Sequence, residues 1–433
     1  MFRLAFLGIL SLGVTTTMAQ SYRFDFGAGP VARGYTKVTP EMQYTPERGY
    51  GFLPGSPVQG LYAVRYIRDY VTSTQPFFFS VKLPQGTYDV KLLLGDEKDV
   101  SYTTVKAENR RLMLEKVETK PRKFVWKTFT VNVRTARITD TDSVRLKPRE
   151  KGYFQWDDQL TFEFTDVLPK VAALEIRPNT KAQTIYLAGN STVVDQAQEP
   201  YAAWGQMIPR FFRPKKIVVA NHAESGESLR SFLAEKRLAK ILSVIKPNDY
   251  LFIEFAHNDQ KQSDLQPFVG YKDLLKQYIK AVREKGAKPV LVTSMHRRNF
   301  DQQGRIINTL GDFPEAMRQT AKEENVPLID LNAMSKTLWE ALGPQDSEKA
   351  FVHVPAGTLP GVTKDIHDNT HFSNYGAYLL VQCVISGIKA AQLDIASELT
   401  EDTPAFDPAR PTSYEQWKFP ASPFIENVKP DGN

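Results

Sequence analysis

The feature that most constrains this chain is a change of hydrophobic pattern close to residue 180. Before it, short segments rich in aromatic and β-branched residues alternate apolar with polar positions, as TFTVNV does. After it, nearly continuous apolar runs alternate with stretches whose apolar residues recur three and four positions apart. The first pattern is typical of antiparallel sheets and the second of α/β proteins, so the sequence predicts two successive domains.

The first domain is predicted to span residues 21–178 and to be an antiparallel β-sandwich or jelly roll. Helical periodicity is hard to find in this range. The predicted strands include SYRFDF, PFFFSVKL, GTYDVKLLLGD, TFTVNV and LTFEF. The polar stretch RPNTKAQ at residues 177–183 contains a proline, and we place the domain boundary there.

The second domain, residues 184–395, is predicted to be a three-layer α/β sandwich around a parallel sheet. Its strands should be buried on both faces, and they are TIYLAGN, KIVVANHA, YLFIEFAHND, KPVLVTSM and VPLIDL. The predicted helices are YAAWGQMIPRFF, SLRSFLAEKRLAKILSVI, YKDLLKQYIKAVREKG, FPEAMRQTAKEENV and a last one over residues 375–391. Residues 396–433 form a proline-containing C-terminal tail, either packed in an extended form or loose.

The first 19 residues have the pattern of a secretory signal peptide. Arg3 gives a short positive start, residues 4–14 are apolar but too short to span a bilayer, and residues 17–19 offer a small-residue cleavage site. A buried N-terminal helix is the alternative. We therefore expect a secreted or periplasmic protein, and no other run of the sequence is apolar enough to predict membrane association.

Charge and cysteine content exclude several classes of protein. The net charge of +6 is spread along the chain without a basic block, so nucleic-acid binding is not expected, whereas a polyanionic substrate is compatible. The single cysteine, Cys383, allows no disulfide and no Cys-based metal site, and its apolar surroundings favour a buried residue over a reactive thiol. No cofactor or metal is expected. The acidic loop at residues 96–99 is interpreted as a solvated turn, with calcium binding as the alternative.

Ligands of open α/β sheets bind beyond the carboxyl ends of the strands, so the residues that follow each predicted strand are candidates for chemistry. Ser191 follows the first strand, where it can be an exposed nucleophile or a helix cap. Gly226 follows the second, where its N–H can meet an anion or the glycine can simply provide backbone freedom. Asn258 follows the third, where its amide can donate to developing negative charge or form an Asx-turn.

A carboxylate and an imidazole lie three residues apart late in the chain, in Asp368-Asn369-Thr370-His371. This spacing lets Asp368 orient His371, which can then take a proton from a hydroxyl. His222, His257 and His296 also follow predicted strands and could reach the site, but His371 is the one that combines a carboxylate at a useful offset with a following helix start. Each motif alone is weak. Their order in the chain, Ser, Gly, Asn and then Asp-x-x-His, is much more specific.

Those four blocks resemble the SGNH (GDSL-like) hydrolase superfamily, which is named for its Ser, Gly, Asn and His blocks. The stretches LAGNSTV, NHAESGESLRSF, IEFAHNDQK and DNTHFSNYGA are most similar to the rhamnogalacturonan acetylesterases of that superfamily. The leading domain more weakly resembles the galactose-binding-like sandwich found ahead of some of these esterases, through FDFGAG, TYDVKLLLGD and VKAENRRLMLEK. The resemblance over the esterase domain covers about residues 184–391.

The resemblance implies a role for each block. Ser191 would be the nucleophile, His371 the general base and Asp368 its orienting partner. Gly226, Asn258 and the N–H of Ser191 would form the oxyanion hole. The chain departs from the usual blocks in two places, because Asn190 stands where an Asp precedes the serine and Ala256 stands where a Gly is usual.

The resemblance further implies removal of O-acetyl groups from a polysaccharide or oligosaccharide, most of all the rhamnogalacturonan backbone of pectin. His257, His296, Arg297 and Arg298 are candidate contacts to this anionic substrate, and a solvated basic turn is the alternative for the last three. Acetylxylan esterase, sialate O-acetylesterase and broad carboxylesterase activities of the same superfamily stay open. The sequence does not determine the oligomeric state.

A non-catalytic carbohydrate-binding protein is the competing class. Trp126, Trp156 and residues 77–79 of the first domain could offer aromatic stacking surfaces for sugar, or they could belong to the core of the sandwich. The complete set of Ser, Gly, Asn and Asp-x-x-His argues against this class.

Overall fold

The structure is a computed structural model that describes residues 21–63, 68–426 and 428–431. The predicted signal peptide, residues 1–19, lies outside the described residues.

The first domain is a sandwich of two β-sheets. One sheet has the strand order β10-β7-β12-β1-β2 with β4 and β5 added beside β12, and the other has the order β3-β6-β11-β8-β9. All strand pairs in the two sheets are antiparallel except the parallel pair β1–β2. The strands are β1 (Tyr22–Phe26), β2 (Thr36–Val38), β3 (Tyr50–Phe52), β4 (Gln59–Leu61), β5 (Tyr70–Thr72), β6 (Phe77–Lys82), β7 (Gly86–Asp96), β8 (Ser101–Ala107), β9 (Arg111–Thr119), β10 (Lys123–Val133), β11 (Gln159–Thr165) and β12 (Lys170–Pro178). The predicted sandwich is confirmed.

The aromatic residues of this domain mostly belong to its interior. Phe77 and Phe79 pack between the two sheets with the other core aromatics, while Phe78 and Trp156 are buried outside that core. Trp126 is 36% exposed, and the Lys91 ammonium lies 4.0 Å from its ring centre. Of the proposed stacking surfaces, only Trp126 therefore faces solvent.

The acidic loop after β7 is a hydrogen-bonded turn. The Asp96 carboxylate pairs with the buried Lys170 ammonium and accepts the backbone N–H groups of Lys98 and Asp99. Its oxygens are thus already occupied by protein donors. Among the residues described, no group of three or more His, Cys, Asp or Glu side chains is arranged to hold a metal ion.

The second domain is built on a five-stranded parallel sheet with the order β14-β13-β15-β16-β17. Helices cover both faces, and an antiparallel pair, β18–β19, precedes the last helix. The strands are β13 (Gln183–Gly189), β14 (Ile217–Asn221), β15 (Tyr250–Glu254), β16 (Lys288–Val292), β17 (Leu328–Ile329), β18 (Phe351–Val354) and β19 (Ile366–Phe372). The helices are α1 (Trp204–Met207), α2 (Leu229–Ala234), α3 (Arg237–Val244), α4 (Lys272–Glu284), α5 (Phe313–Glu323), α6 (Leu331–Asp346) and α7 (Asn374–Ala390). The predicted three-layer α/β sandwich is confirmed.

The two faces of this sheet bury separate apolar clusters. On one face α1, α6 and α7 pack against alternate residues of the strands, and on the other face α2, α3, α4 and α5 do so. Cys383 is fully buried in α7, and burial raises the pKa of its thiol. No helix within the described ranges is long and apolar enough to cross a membrane.

The predicted helix over residues 228–245 is two helices in the structure. Lys236 has a φ of 62° between α2 and α3, and its ammonium lies 2.6 Å from Asp142 of the first domain. Arg237, the next residue, forms a fully buried pair with Glu150 at 2.5 Å. The local sequence pattern predicts one continuous helix, but contacts between the two domains break it at Lys236. A local pattern cannot reveal contacts with distant residues.

Two adjacent arginines at the start of β9 join the sandwich to the segment that follows β13. Arg111 Nε lies 2.6 Å from Asp195 Oδ2, and both side chains are fully buried. Arg110 lies 2.5 Å from Glu199 and donates to the carbonyl oxygen of Tyr201 at 2.7 Å. The sandwich therefore supplies the counter-charges for a loop of the α/β domain.

Removing the buried arginine should destabilise the whole protein. We expect Arg111→Met to lower the free energy of unfolding by about 3–5 kcal/mol, because it leaves the Asp195 carboxylate buried without its cation. Urea unfolding followed by circular dichroism measures the change. Arg137→Met is the matched control, since the Arg137–Asp140 pair is largely exposed and should contribute less than about 1 kcal/mol. Equal losses in the two variants would contradict this account of the seam.

Candidate active site

Ser191 lies in a tight turn directly after β13. Gly189 ends the strand, and a Cβ atom built there would meet Val193 Cγ2 at 2.5 Å, so only glycine allows the chain to turn back so closely. The turn is closed by the Val193 and Val194 N–H groups, which both donate to the carbonyl oxygen of Asn190. This geometry presents the Ser191 side chain at the carboxyl edge of the sheet.

A continuous hydrogen-bonded chain joins Ser191 to Asp368. Ser191 Oγ lies 2.9 Å from His371 Nε2, and His371 Nδ1 lies 2.7 Å from Asp368 Oδ2. All three side chains are at least 97% buried, and the ring of Tyr201 packs edge-on against His371. The structure thus brings together two residues that are 180 positions apart in sequence.

The Asp368 carboxyl group is kept ionised by its surroundings. Burial alone would raise its pKa, but hydrogen bonds from the His371 ring and from the backbone N–H groups of Thr370 and His371 hold the pKa below its ordinary value. An ionised Asp368 accepts from Nδ1–H, so Nε2 is left as the acceptor for the Ser191 hydroxyl. This is the arrangement that activates a serine.

Two backbone donors and one amide lie at the same edge. Within the described ranges, no protein acceptor takes the N–H of Ser191 or of Gly226. Gly226 has a φ of +84°, which disfavours any other residue there. Asn258 Nδ2 donates one hydrogen to the Glu227 carbonyl oxygen at 2.9 Å, and an amide carries a second.

The two departures from the family blocks lie in buried positions. Asn190 Oδ1 accepts from the backbone N–H and the hydroxyl of Thr192, whereas its Nδ2 has no partner among the described residues. Ala256 is 1% exposed and packs in the apolar layer behind the strand ends. Neither change displaces the serine turn.

Sequence reasoning missed a buried acid directly beneath this turn. Glu254 ends β15 beside Gly189 and accepts from Ser294 Oγ at 2.6 Å and Trp204 Nε1 at 3.3 Å, and Thr192 Oγ1 lies 3.1 Å from its Oε2. Burial without a cation raises its pKa to about 7, despite these hydrogen bonds. An acidic residue inside the apolar run YLFIEF was the available signal.

The four candidate substrate contacts have different surroundings. Neither ring nitrogen of His257 has a partner in the part of the chain that is described, and burial, with nearby cations, holds its pKa well below the usual value. His296 is buried, and burial lowers its pKa to about 4. Arg297 is half-buried and donates to Thr370 Oγ1 beside the hydrogen-bonded chain. Arg298 instead pairs with Glu348 at 2.8 Å, so its charge is already compensated.

The C-terminal segment passes over the site. Lys429 Nζ lies 3.6 Å from Asp368 Oδ1, and Asp431 pairs with Arg149 and lies against Gly226. Beside it, a cavity of about 250 Å³ is bounded by this segment, by residues 194–198 and by residues 224–225. The predicted tail is therefore packed rather than loose at this point.

Comparison with known protein families identifies both domains. Residues 22–117 match the β-agarase/YXIM esterase-like, galactose-binding domain-like family. Residues 187–377 match the GDSL-like lipase/acylhydrolase family, and this range contains the serine turn and the His371 segment.

Two relatives, one of which has a crystal structure, extend the comparison. Rhamnogalacturonan acetylesterase RhgT of Bacillus subtilis is 43% identical over 217 residues, which cover 50% of this chain and 93% of RhgT. The uncharacterized esterase YxiM of Bacillus subtilis is 27% identical over 75% of this chain and 82% of its own. The crystal structure of YxiM covers 87% of this chain and 99% of its own, with 25% identity and a TM-score of 0.46.

The fold and the matched domains define an ester hydrolase of the SGNH type. The chain belongs to the GDSL-like lipase/acylhydrolase family, and a galactose-binding-like domain precedes its esterase domain. It is an esterase similar to rhamnogalacturonan acetylesterases.

The buried carboxyl group of Glu254 should make the free energy of unfolding depend on pH. Unfolded, Glu254 should release its proton near its ordinary value of 4.5, whereas the folded protein keeps it to about pH 7. The folded state then binds more protons between those values, so the free energy of unfolding falls as pH rises, by up to about 3 kcal/mol. The raised pKa values of Glu108, Asp157, Glu224 and Asp259 act in the same direction, so Glu254→Gln should reduce the fall by the share of Glu254 alone, which urea unfolding from pH 4.5 to 7.5 measures.

The control for this measurement is Glu284→Gln, a largely exposed residue at the end of α4. Its stability should follow the wild type across the pH range. If Glu254→Gln and the wild type lose stability in parallel as pH rises, the proton is not held by Glu254.

Proposed function

We propose that the protein is a secreted carbohydrate esterase that removes O-acetyl groups from rhamnogalacturonan through Ser191, His371 and Asp368. The observation that carries the proposal is the continuous chain of hydrogen bonds, 2.9 Å from Ser191 to His371 and 2.7 Å from His371 to Asp368. Nucleophile, base and orienting acid are the three parts that acyl transfer needs.

In the first half of the reaction His371 Nε2 takes the hydroxyl proton as Ser191 Oγ attacks the acetyl carbonyl carbon. The carbonyl oxygen becomes negative in the tetrahedral intermediate. When the intermediate collapses, the C–O bond to the sugar breaks and His371 returns its proton to the departing sugar hydroxyl. Asp368 stabilises the imidazolium that exists between these two proton transfers.

In the second half water replaces the sugar. His371 takes one proton from water, whose oxygen attacks the acetyl-serine carbonyl, and returns it to Ser191 Oγ as the C–O bond to serine breaks; acetic acid leaves and gives up its remaining proton to solvent. The N–H groups of Ser191 and Gly226 and the second amide hydrogen of Asn258 are the proposed donors to the oxyanion. Losing one such donor typically lowers turnover by about 10²–10³.

The substrate is proposed from the relatives and from the charges near the serine. RhgT, at 43% identity, and a second Bacillus subtilis relative at 37% carry the name rhamnogalacturonan acetylesterase, the latter as probable. Galacturonate makes that backbone anionic, and Arg297, Lys261 and Lys429 bring positive charge close to His257 and Asp368. Neutral His257 can bond a sugar hydroxyl.

Secretion is part of the proposal because residues 1–19 have the features of a signal peptide. Cleavage after residue 19 in a bacterial host, detected by N-terminal sequencing of protein recovered outside the cytoplasm, tests it. Recovery of the uncleaved chain in the cytoplasm would contradict it.

Removing the nucleophile should abolish the reaction. We expect Ser191→Ala to lower turnover of an aryl acetate by at least about 10³-fold, because neither water nor a neighbouring hydroxyl can form the acyl-enzyme. Ser243→Ala is the control, since the hydroxyl of this exposed serine only donates to the Lys240 carbonyl oxygen of its own helix and its loss should leave turnover unchanged. Retained activity in a folded Ser191→Ala protein would exclude the assignment.

The arginine beside the site should distinguish charged from neutral substrates. We expect Arg297→Gln to raise KM for acetylated rhamnogalacturonan oligosaccharides by about 10- to 100-fold, the loss of one charge-assisted hydrogen bond. KM for acetylated xylan, which is neutral in its backbone, should change little. Acetate release from both substrates by the wild type and the variant measures this. An equal KM change on both substrates would contradict recognition of the uronate.

A further inference from the structure

A second cavity of about 240 Å³ lies on the seam between the two domains and shares no residue with the Ser191 site. The sandwich contributes residues 85–88, Asn132 and Arg134, and the α/β domain contributes residues from β13, His222 and α3. Its volume is below the roughly 300–1,000 Å³ of pockets for drug-sized ligands, so it suits one sugar ring.

The wall of this cavity carries one sign of charge. Arg134, Lys240 and Lys246 line it, and none of its lining residues is an aspartate or glutamate. His222 also lines it and stays neutral, because burial and the surrounding cations hold its pKa well below the usual value. Such a wall attracts an anion and repels a cation.

Arg134 is a buried guanidinium with too few acceptors. The residue is 2% exposed, and its Nη2 donates to Gln155 Oε1 at 3.2 Å while its plane lies 4.5 Å from the Trp156 ring centre. Neither Nε nor Nη1 has a partner among the described residues. Burial and the neighbouring Arg111 lower the pKa of Arg134 to about 9. These two N–H groups have almost no accessible surface, so it is the charge of the guanidinium, which lines the cavity, that an anion there would compensate.

Lys240 is a second cation that has no negatively charged partner among the described residues of this cavity. Its ammonium donates to Gln85 Oε1 at 2.6 Å and to the carbonyl oxygen of Arg137, both of which are neutral acceptors. Burial and the charge of Arg134 lower its pKa to about 8. A carboxylate placed between Arg134 and Lys240 would compensate both cations together.

The remaining wall suits hydroxyl groups. Asn132 Oδ1 is buried without a partner among the described residues, and the aromatic side chains of Tyr88 and Tyr186 and the polar side chains of Thr180 and Thr184 also line the cavity. Amides and hydroxyls around one ring-sized space, together with the cations Arg134 and Lys240, match a ring that carries both hydroxyls and a carboxylate.

We propose that this cavity is a binding site for a single carboxylate-bearing sugar. Its carboxylate pairs with Arg134 and Lys240, and its hydroxyls face Asn132 and the tyrosines. Because both domains supply the wall, the bound sugar stabilises the seam between them. The site is independent of the ester hydrolysis and does not rest on the proposed function.

Isothermal titration calorimetry of the full chain with D-galacturonate at low salt tests the proposal. We expect saturable binding of D-galacturonate, and at least tenfold weaker binding of D-galactose, which lacks the carboxylate. Arg134→Gln and Lys240→Gln should each weaken the binding of D-galacturonate by about 10- to 100-fold, because each removes a positive charge that attracts the carboxylate. Circular dichroism confirms that each variant is folded.

Three further measurements distinguish this cavity from the esterase site and from simple anion binding. Lys246→Gln alters only an exposed charge at the rim of the cavity, so this variant should fold even if the variants at the buried Arg134 and Lys240 do not. It should weaken the binding of D-galacturonate several-fold. Binding that is lost in Arg297→Gln, but kept when Arg134 or Lys246 is replaced, belongs to the esterase site and overturns the proposal. Sodium sulfate binding as tightly as D-galacturonate would overturn the recognition of a sugar.

Discussion

The buried pair of Arg111 and Asp195 is the interaction on which the rest of the architecture depends. Asp195 lies four residues after the candidate nucleophile, and its other oxygen accepts from Asn221 at the end of β14. The turn that presents Ser191 is therefore fixed from the sandwich on one side and from the sheet on the other. A charge pair without solvent is strong only while its geometry is closely maintained, so this contact favours one arrangement of the two domains around the serine.

Hydrophobic periodicity was enough to predict the architecture, because the hydrophobic pattern in each half of the chain is compatible with one class of fold. The parallel strands are continuous apolar runs since both faces are covered, and TIYLAGN and KPVLVTSM correspond to β13 and β16. The break between α2 and α3 could not be predicted, because its cause is a set of ion pairs to Asp142 and Glu150, almost a hundred residues away. Local patterns carry no information about such partners.

The proposed site was accessible from sequence to the extent that its residues follow strands. Ser191, Gly226 and Asn258 end successive segments of one edge, so topology alone brings them close, and His371 was recognised by its carboxylate. Glu254 and Arg111 could not be identified from the sequence, because their roles depend on burial. A carboxylate in an apolar strand and an arginine at the start of a strand look ordinary until their surroundings are known. The unequal surroundings of Arg297 and Arg298 likewise depend on Glu348, fifty residues later.

The segment around Ser422 has a consequence for how such a chain can change over evolution. Ser422 donates to Glu163 of the sandwich, receives a hydrogen bond from Lys106, and its backbone N–H donates to Glu199 of the esterase domain. The C-terminal segment, which follows the esterase domain in the chain, thus packs back against the sandwich that precedes that domain. A sandwich held in this way is not an interchangeable module. Exchanging it for another would leave Asp195, Glu199 and Arg237 of the esterase domain buried without their partners, so among relatives that carry both domains we expect the two sides of this interface to change together.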